Sequence, residues 1–169
     1  MRSMSARHPN VVNAAEVDAV DGPTYGSKFG SRMRRLGSAA GGKRLGCTLY
    51  EVESGKRAFP FHAHLSNEEA IFVLEGEATL RIGDREVPLR AGDYVALPVG
   101  PGGAHQLVNT SGAVVRYLCM STVTYPEVAI YPDSNKMGVI ALEPEAMRVI
   151  FKQSGGTTLA SYFEGEQAD

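Results

Sequence analysis

The feature that most restricts the fold of this chain is a series of short β-like runs, each bounded by turn residues, which begins at Leu45. The runs are rich in β-branched and aromatic residues, and Gly, Pro, Asn and Asp separate them. Many short strands at regular spacing predict an all-β sandwich or barrel. The predicted strands cover residues 45–52, 58–64, 70–74, 77–82, 86–89, 93–97, 106–109 and 114–123.

Length predicts one domain with two flanking segments. The chain has 169 residues, enough for a single hydrophobic core and too few for two ordinary domains. We expect an N-terminal arm over residues 1–44 with at most one or two short strands, and a β core over residues 45–123. Residues 124–169 are expected to form a C-terminal extension of turns and small apolar runs, with a helical turn or another strand at residues 144–151. This extension would cover a sheet edge or pair with a second subunit, since an open edge strand invites aggregation.

Charge and hydropathy give no indication of a nucleic-acid or membrane partner. The net charge is −2, and the contents of 43% hydrophobic and 21% charged residues are ordinary for a soluble globular protein. The glycine-broken arm lacks the helical period of a helix-turn-helix, and we interpret its basic cluster of Arg32, Arg34 and Arg35 as a solvated or interface surface. No apolar run approaches the ~20 residues that span a bilayer and no signal-peptide pattern is present, so we expect a cytoplasmic protein. Cys47 and Cys119 lie in apolar runs, which favours buried reduced thiols over a disulfide.

A cluster of histidines and acids carries the candidate chemistry. His62 and His64 are separated by one residue, so both would project from the same face of a β-strand and could bind one ion. After a short polar connection come two acids, Glu68 and Glu69, at the start of the next predicted strand. A third histidine, His105, follows a glycine-rich loop much further along the chain.

These residues form a set of donors that suits a metal ion. A lone histidine on an apolar strand is more often a packed core residue, but three histidines with a positioned carboxylate favour a metal site. Neutral imidazoles with one carboxylate suit Zn, Fe, Mn, Ni or Co. Four protein ligands would leave positions open for substrate or water on an ion that prefers five or six neighbours. The remaining histidine, His8, lies in the polar leader and is left out of the site.

The spacing of these residues resembles the two sequence motifs of the cupin family. The first motif, a glycine, His-x-His, four residues, Glu, six residues and Gly, is matched by Gly55, His62, His64, Glu69 and Gly76. Counting back from its last glycine selects Glu69 over Glu68. The second motif is matched by Gly92, Pro98, Gly100, His105 and Asn109, with a spacer before the histidine that is longer than the usual pattern.

The resemblance covers about residues 45–123 and implies the fold, the metal ligands and the partners. The fold would be the conical double-stranded β-helix of the cupins, a jelly-roll barrel. One divalent metal ion would be held by His62, His64, Glu69 and His105, and Glu69 could also leave the ion and act as a catalytic base. The flanking segments are similar to a group of small bacterial single-domain cupins described as sugar-phosphate-isomerase-like. The same resemblance implies a homodimer in which the arm and the tail bridge the subunits.

Side chains that share the ligands' face predict a small and mostly apolar pocket. The candidates are Pro60, Ile71, Val73 and Leu107. Phe59 and Phe61 have the opposite parity and are expected to pack against the arm or a partner chain. Tyr50 and Tyr117 are expected to lie in the core.

Two functional hypotheses follow from the site. The leading hypothesis is a metal-dependent enzyme that acts on a sugar, a sugar phosphate or an oxygenated carboxylate by isomerase or dioxygenase chemistry. The metal would serve as a Lewis acid or an oxygen-binding centre. The alternative is a non-catalytic binding or sensory cupin that holds a small ligand in its barrel.

Overall fold

The computed structural model describes residues 7–141, 147–153 and 158–167. In this part of the chain the regular structure is almost entirely β, with one short helix, α1 (Leu36–Ala39), and single 3-10 turns at Ala14–Glu16, Pro101–Gly103 and Pro132–Ser134. Among the described residues, no helix has the length and apolar character needed to cross a membrane. The strands are β1 (Val20–Asp21), β2 (Arg32–Arg34), β3 (Leu45–Val52), β4 (Ala63–His64), β5 (Glu69–Glu75), β6 (Glu77–Ile82), β7 (Arg85–Arg90), β8 (Tyr94–Leu97), β9 (His105–Val108), β10 (Val115–Thr122), β11 (Glu127–Tyr131), β12 (Lys136–Ala141), β13 (Met147–Lys152) and β14 (Thr158–Leu159).

The strands form two antiparallel layers that enclose the core. One layer is a six-stranded sheet in the order β1-β2-β3-β10-β5-β8. The other combines the sheets β7-β6-β9 and β14-β13-β12-β11-β4, which are joined where His62 and His105 exchange backbone hydrogen bonds of 3.1 and 2.8 Å. The main hydrophobic cluster takes residues from both layers, including Val52 and Val115 from the first and Leu80 from the second.

Most predicted strands are present with nearly the predicted bounds. β3 and β6 match the predictions, and the others differ by a single residue at either end. The exception is residues 58–64, of which only Ala63–His64 forms a regular strand. Pro60 has no N–H to donate to a ladder, and His62 is paired only through its isolated bridge to His105.

Turn residues fix the hairpins as their chemistry predicts. The Gly83-Asp84 hairpin is confirmed, because Ile82 pairs with Arg85 across it. Between β5 and β6, Gly76 has a φ of +83°, and a Cβ there would lie 2.8 Å from the Val114 carbonyl oxygen, so this hairpin requires glycine.

Polar side chains at two turns have structural roles. The Asp93 carboxylate accepts a hydrogen bond of 2.8 Å from the Arg90 backbone N–H. Asn109 is fully buried, and its amide donates to the carbonyl oxygens of Val52 and Ala113 at 2.8 and 2.7 Å. The two cysteines are free thiols and are half-buried rather than fully buried.

The flanking segments add strands to both layers. The arm supplies β1 and β2, and β2 pairs with β3. The tail differs from the expected turns and small apolar runs, because β11 pairs with β4 and three further antiparallel strands follow. Residues 147–151 belong to strand β13, and residues 144–146 lie outside the described residues. The tail therefore covers the edge of β4, next to the candidate ligands.

Candidate metal centre

Three of the four predicted metal ligands converge at one point. One ligand atom from each of His62, Glu69 and His105 lies within 4.8 Å of the others. His62 precedes β4, Glu69 begins β5 and His105 begins β9, so the group joins the two layers. Glu69 turns toward the histidines, whereas Glu68 is exposed. Such a group of two imidazoles and a carboxylate could hold a metal ion.

Backbone carbonyls orient two of the imidazole rings. His62 Nδ1 lies 2.8 Å from the Pro60 carbonyl oxygen, and His105 Nδ1 lies 2.9 Å from that of Gly103. A carbonyl oxygen only accepts, so each Nδ1 carries a proton and donates it. In the neutral rings Nε2 is then the atom with a free lone pair, as in many metal-binding histidines.

The Glu69 carboxylate faces one ring nitrogen of His105 and one of His64. Its Oε2 lies 3.3 Å from His105 Nε2 and 3.3 Å from His64 Nε2. In neutral His105 the Nε2 atom is an acceptor, as is the carboxylate, so their approach requires a shared proton or a bound cation. The donor set therefore fits a divalent ion.

His64 lies beside the group of three and not within its 4.8 Å limit. Its ring centroid is 4.9 Å from that of His62 and 6.4 Å from that of His105. Both of its ring nitrogens are buried without a hydrogen bond of good geometry. Buried polar atoms are almost always satisfied, so His64 also has an unfilled coordination or hydrogen-bonding requirement.

Burial and neighbouring charges set the protonation of the site. Burial, together with His105 and His64, lowers the pKa of His62 to about 3, which keeps its ring neutral at physiological pH. Burial alone would lower the pKa of His64, but the carboxylates of Glu69 and Glu127 raise it. Burial would likewise raise the pKa of Glu69, but the neighbouring imidazoles of His105 and His64 hold it well below its usual range, so Glu69 is ionised.

Glu127 is a site residue that the sequence reasoning missed. It is 3% exposed, and its Oε1 lies 3.4 Å from His64 Nδ1. The same oxygen accepts the backbone N–H of Leu65 at 3.2 Å, and Oε2 accepts from the Asn67 amide. The sequence signal was an acid within an apolar strand-like run of the tail, because a buried carboxylate requires partners.

The candidate ligands line a cavity of about 360 Å³. Ile71 and Leu107 line it as predicted, whereas Pro60 and Val73 do not. The prediction for Phe59 was wrong, because its ring contacts Tyr50 edge-on at 5.3 Å and lines this cavity. Strand parity failed there because residues 58–62 are not a regular strand.

The cavity is more polar and aromatic than predicted, because the flanking segments contribute to it. Tyr50 and Tyr117 stack at 5.3 Å and line the cavity as well as the core. The tail places Tyr131 at 6.2 Å from the His62 ring and Tyr162 at 5.8 Å from Tyr131. Two arginines also line it, Arg35 from the arm and Arg148 from β13. Arg35 is exposed, in agreement with the predicted solvated surface, and it also lines this cavity.

Comparisons with known proteins agree with this architecture. Residues 48–121 match a family model described as the cupin domain. The structure resembles that of a sugar phosphate isomerase of the cupin superfamily from Silicibacter pomeroyi, with a TM-score of 0.77 and 25% identity, over 89% of this chain and 97% of that one. A polyketide cyclase from Streptomyces resistomycificus gives a TM-score of 0.57 and 27% identity, over 73% of this chain and 84% of that one.

A curated relative matches about half of the chain. Quercetin 2,3-dioxygenase of Bacillus subtilis is 30% identical over 90 residues, which is 51% of this chain and 26% of the relative. The chain thus spans about a quarter of the length of that relative. Both motifs, the matched residues 48–121 and the two-layered strand arrangement lead to one conclusion. Residues 48–121 are a cupin domain, and the chain has the double-stranded β-helix fold of the cupins.

Proposed function

We propose that this chain is a metal-dependent cupin enzyme that acts on a small organic molecule, with isomerisation of a sugar phosphate as its leading activity. The observation that carries the proposal is the convergence of His62, Glu69 and His105 within 4.8 Å at a cavity of about 360 Å³. Similarity to the Silicibacter isomerase extends over 89% of this chain, flanks included, and supports the choice of reaction. Similarity to the dioxygenase is confined to 51% of the chain, so oxygenase chemistry is the second candidate.

In this proposal, one divalent ion is held by Nε2 of His62, His64 and His105 and by the carboxylate of Glu69. The ion would be Zn, Fe, Mn, Ni or Co, all of which accept this mixture of ligands. A bound cation would explain why the Glu69 oxygen lies only 3.3 Å from two imidazole nitrogens. When bound, such an ion supplies Lewis acidity at a substrate oxygen.

The chain's own residues then move protons and exclude water. An aldose–ketose isomerisation takes a proton from one carbon, returns it to the neighbouring carbon and moves a second proton between two oxygens, with no external oxidant. Glu69 is ionised, as a base must be, and we assign it the proton that moves between carbons. Burial raises the pKa values of Tyr50 and Tyr117, so their hydroxyls stay protonated and can donate to substrate oxygens. Ile71 and Leu107 keep the base of the cavity apolar.

Metal analysis of protein purified without chelators tests the ligand assignment. We expect about one equivalent of a divalent metal in the wild type and a large loss in His62→Ala and in His105→Ala. The matched control is His8→Ala, because His8 is exposed and distant from the site in sequence. If the wild type and the site variants carry equally little metal, the metal-dependent proposal is wrong.

Turnover assays decide the reaction class. Sugar phosphate isomerisation and substrate-dependent oxygen uptake are measured on the same metal-containing protein. Isomerisation that Glu69→Gln abolishes supports the leading activity, and oxygen uptake supports the second candidate. Binding of small molecules with no turnover in either assay favours a non-catalytic binding cupin.

A further inference from the structure

Two arginines from opposite ends of the chain line the candidate cavity. Arg35 precedes α1 in the arm, and Arg148 lies in β13 of the tail. Within the described ranges neither guanidinium has a carboxylate within 4.0 Å, whereas Arg34, Arg81 and Arg116 each form an ion pair. The cavity therefore contains two positive charges that the described part of the chain does not neutralise by pairing.

An aromatic side chain contacts one of the two arginines. The Arg148 guanidinium lies 5.1 Å over the Tyr162 ring. Tyr162 contacts Tyr131 edge-on, and Tyr131 stacks on His62, so a continuous series of rings connects Arg148 with the ligands. Arg35 lines the cavity with Tyr50 and acts electrostatically on the Tyr50 hydroxyl.

The charges of the cavity favour an anionic ligand. Its formally charged lining residues are Arg35, Arg148 and Glu69, which leaves one net positive charge when the histidines are neutral. A divalent ion at the candidate centre would add two more. Both arginines are exposed, and a cavity lined by charges of one sign attracts small ions of the opposite sign.

We propose that Arg35 and Arg148 bind the phosphate group of a phosphate monoester whose other end reaches the candidate metal centre. The inference rests on the proposed function and assigns its substrate class to residues outside the matched residues 48–121. A phosphate monoester presents three terminal oxygens and can engage two guanidinium groups. A carboxylate presents two oxygens, which a single guanidinium already satisfies.

Calorimetric binding of three matched ligands tests this subsite without requiring turnover. Sorbitol 6-phosphate, gluconate and sorbitol share a six-carbon polyol chain and differ in carrying a phosphate, a carboxylate or no charge. None has a sugar carbonyl, so none can be isomerised. Each is titrated into the metal-containing wild type and into Arg35→Gln, Arg148→Gln and the double variant. Arg85→Gln is the matched control, because Arg85 is exposed on the β6–β7 hairpin and does not line the cavity.

We expect the wild type to bind sorbitol 6-phosphate at least about tenfold more tightly than gluconate or sorbitol, and each cavity variant to lose on the order of tenfold. The metal content of all variants and the affinity of Arg85→Gln should equal those of the wild type. Unchanged phosphate affinity in the cavity variants, arginine-dependent binding of gluconate in preference to the phosphate, or no binding of the phosphate each overturns the inference.

The same samples separate this inference from the proposed function. Protein that binds the phosphate through both arginines but isomerises no sugar phosphate contradicts only the proposed isomerase activity. Protein that isomerises sugar phosphates while Arg35→Gln and Arg148→Gln keep wild-type phosphate affinity contradicts only the arginine subsite.

Discussion

His64 lies between two carboxylates, one of which belongs to neither sequence motif. Glu69 Oε2 is 3.3 Å from its Nε2, and Glu127 Oε1 is 3.4 Å from its Nδ1. Glu127 also accepts the backbone N–H groups of Leu65 and Ser66, at 3.2 and 3.4 Å. A single buried residue of the tail thus holds the loop after β4 and lies beside one candidate ligand.

Replacing Glu127 with alanine should destabilise the protein. The substitution removes the acceptor of the Ser66 N–H and one of the two acceptors of the buried Asn67 amide, which keeps its bond to the Thr124 carbonyl oxygen. An unsatisfied buried donor costs roughly 1–3 kcal/mol. We expect the free energy of unfolding in urea to fall by about 2 kcal/mol or more. Glu127→Gln, which keeps one acceptor oxygen, should recover part of the loss. Glu68→Ala, at an exposed position, is the control, and an equal loss in that variant would contradict this role for Glu127.

The buried ring of His62 predicts a pH-dependent stability. Its folded-state pKa of about 3 lies below the usual 6.5, so unfolding takes up a proton when the pH is between these values. Metal-free protein should lose stability as the pH falls below 6.5, by up to about 1.4 kcal/mol per pH unit from this group, and should retain the full contribution above it. Urea titrations at several pH values measure the free energy of unfolding of chelator-treated protein. This free energy should depend less steeply on pH in His62→Gln than in wild type. Identical slopes would show that His62 does not contribute.

At the scale of elements, β12 anchors the end of the tail against the cavity. Lys136 is fully buried, and its ammonium group donates to the Tyr162 carbonyl oxygen at 2.6 Å and lies 3.1 Å from Glu166 Oε1. Glu166 also accepts from the Ser134 hydroxyl. Since Tyr162 lines the cavity, this ion pair determines where one side of the candidate site lies.

Glu166→Gln should loosen the end of the tail. Removing one partner of a buried ion pair leaves an uncompensated charge. We expect the free energy of unfolding to fall by about 2 kcal/mol. This is less than the usual ~3–5 kcal/mol for a broken buried ion pair, because the hydrogen bond from Lys136 to the Tyr162 carbonyl oxygen remains. Limited proteolysis after residue 153 should also become faster. The matched control is Glu164→Gln, whose pair with Lys152 is solvent-exposed, and there we expect no measurable change. Equal protease sensitivity of the two variants would contradict the anchoring role.

At the scale of the whole molecule, the candidate ligands connect the two layers. Glu69 belongs to the six-stranded sheet, whereas His64 and His105 belong to the second layer. An ion held by all of them would bind the folded state and not the unfolded chain, and would therefore stabilise the fold.

Metal removal should lower the melting temperature. With free metal at 100 times its dissociation constant, the folded state gains about 2.7 kcal/mol, and a chelator should reverse this gain. Scanning calorimetry of wild type with and without added metal measures the difference. His8→Ala should respond like the wild type, and His105→Ala should show almost no response. A wild type whose melting temperature ignores both metal and chelator would contradict the proposed centre.

The homodimer implied by the family resemblance stays a prediction at this scale. Light scattering should give twice the mass of the 18.1 kDa chain. A monomer at working concentration would exclude the predicted bridging by the arm and the tail.

The sequence predicted the local features of the chain, namely its strands, its turns and the motif residues. Period-two alternation and turn residues predicted strands such as β3 and β6 with their observed bounds, because side-chain direction and turn chemistry are properties of neighbouring residues. The spacing of the two motifs selected His62, His64, Glu69 and His105, and the structure brings all of these except His64 within 4.8 Å of one another. Strand parity failed at Phe59, where a proline interrupts the ladder.

The sequence by itself determined the all-β class, the cupin domain and the small set of residues with metal-binding chemistry, since each depends on spacing along the chain. Only the tertiary structure decided what surrounds that set. Arg148 and Tyr162 in the tail and Arg35 in the arm reach the cavity, and Glu127 reaches His64, through the pairing of β11 with β4 and of β2 with β3. Such pairings join residues far apart in sequence, and no local pattern specifies which distant strand will lie beside which ligand.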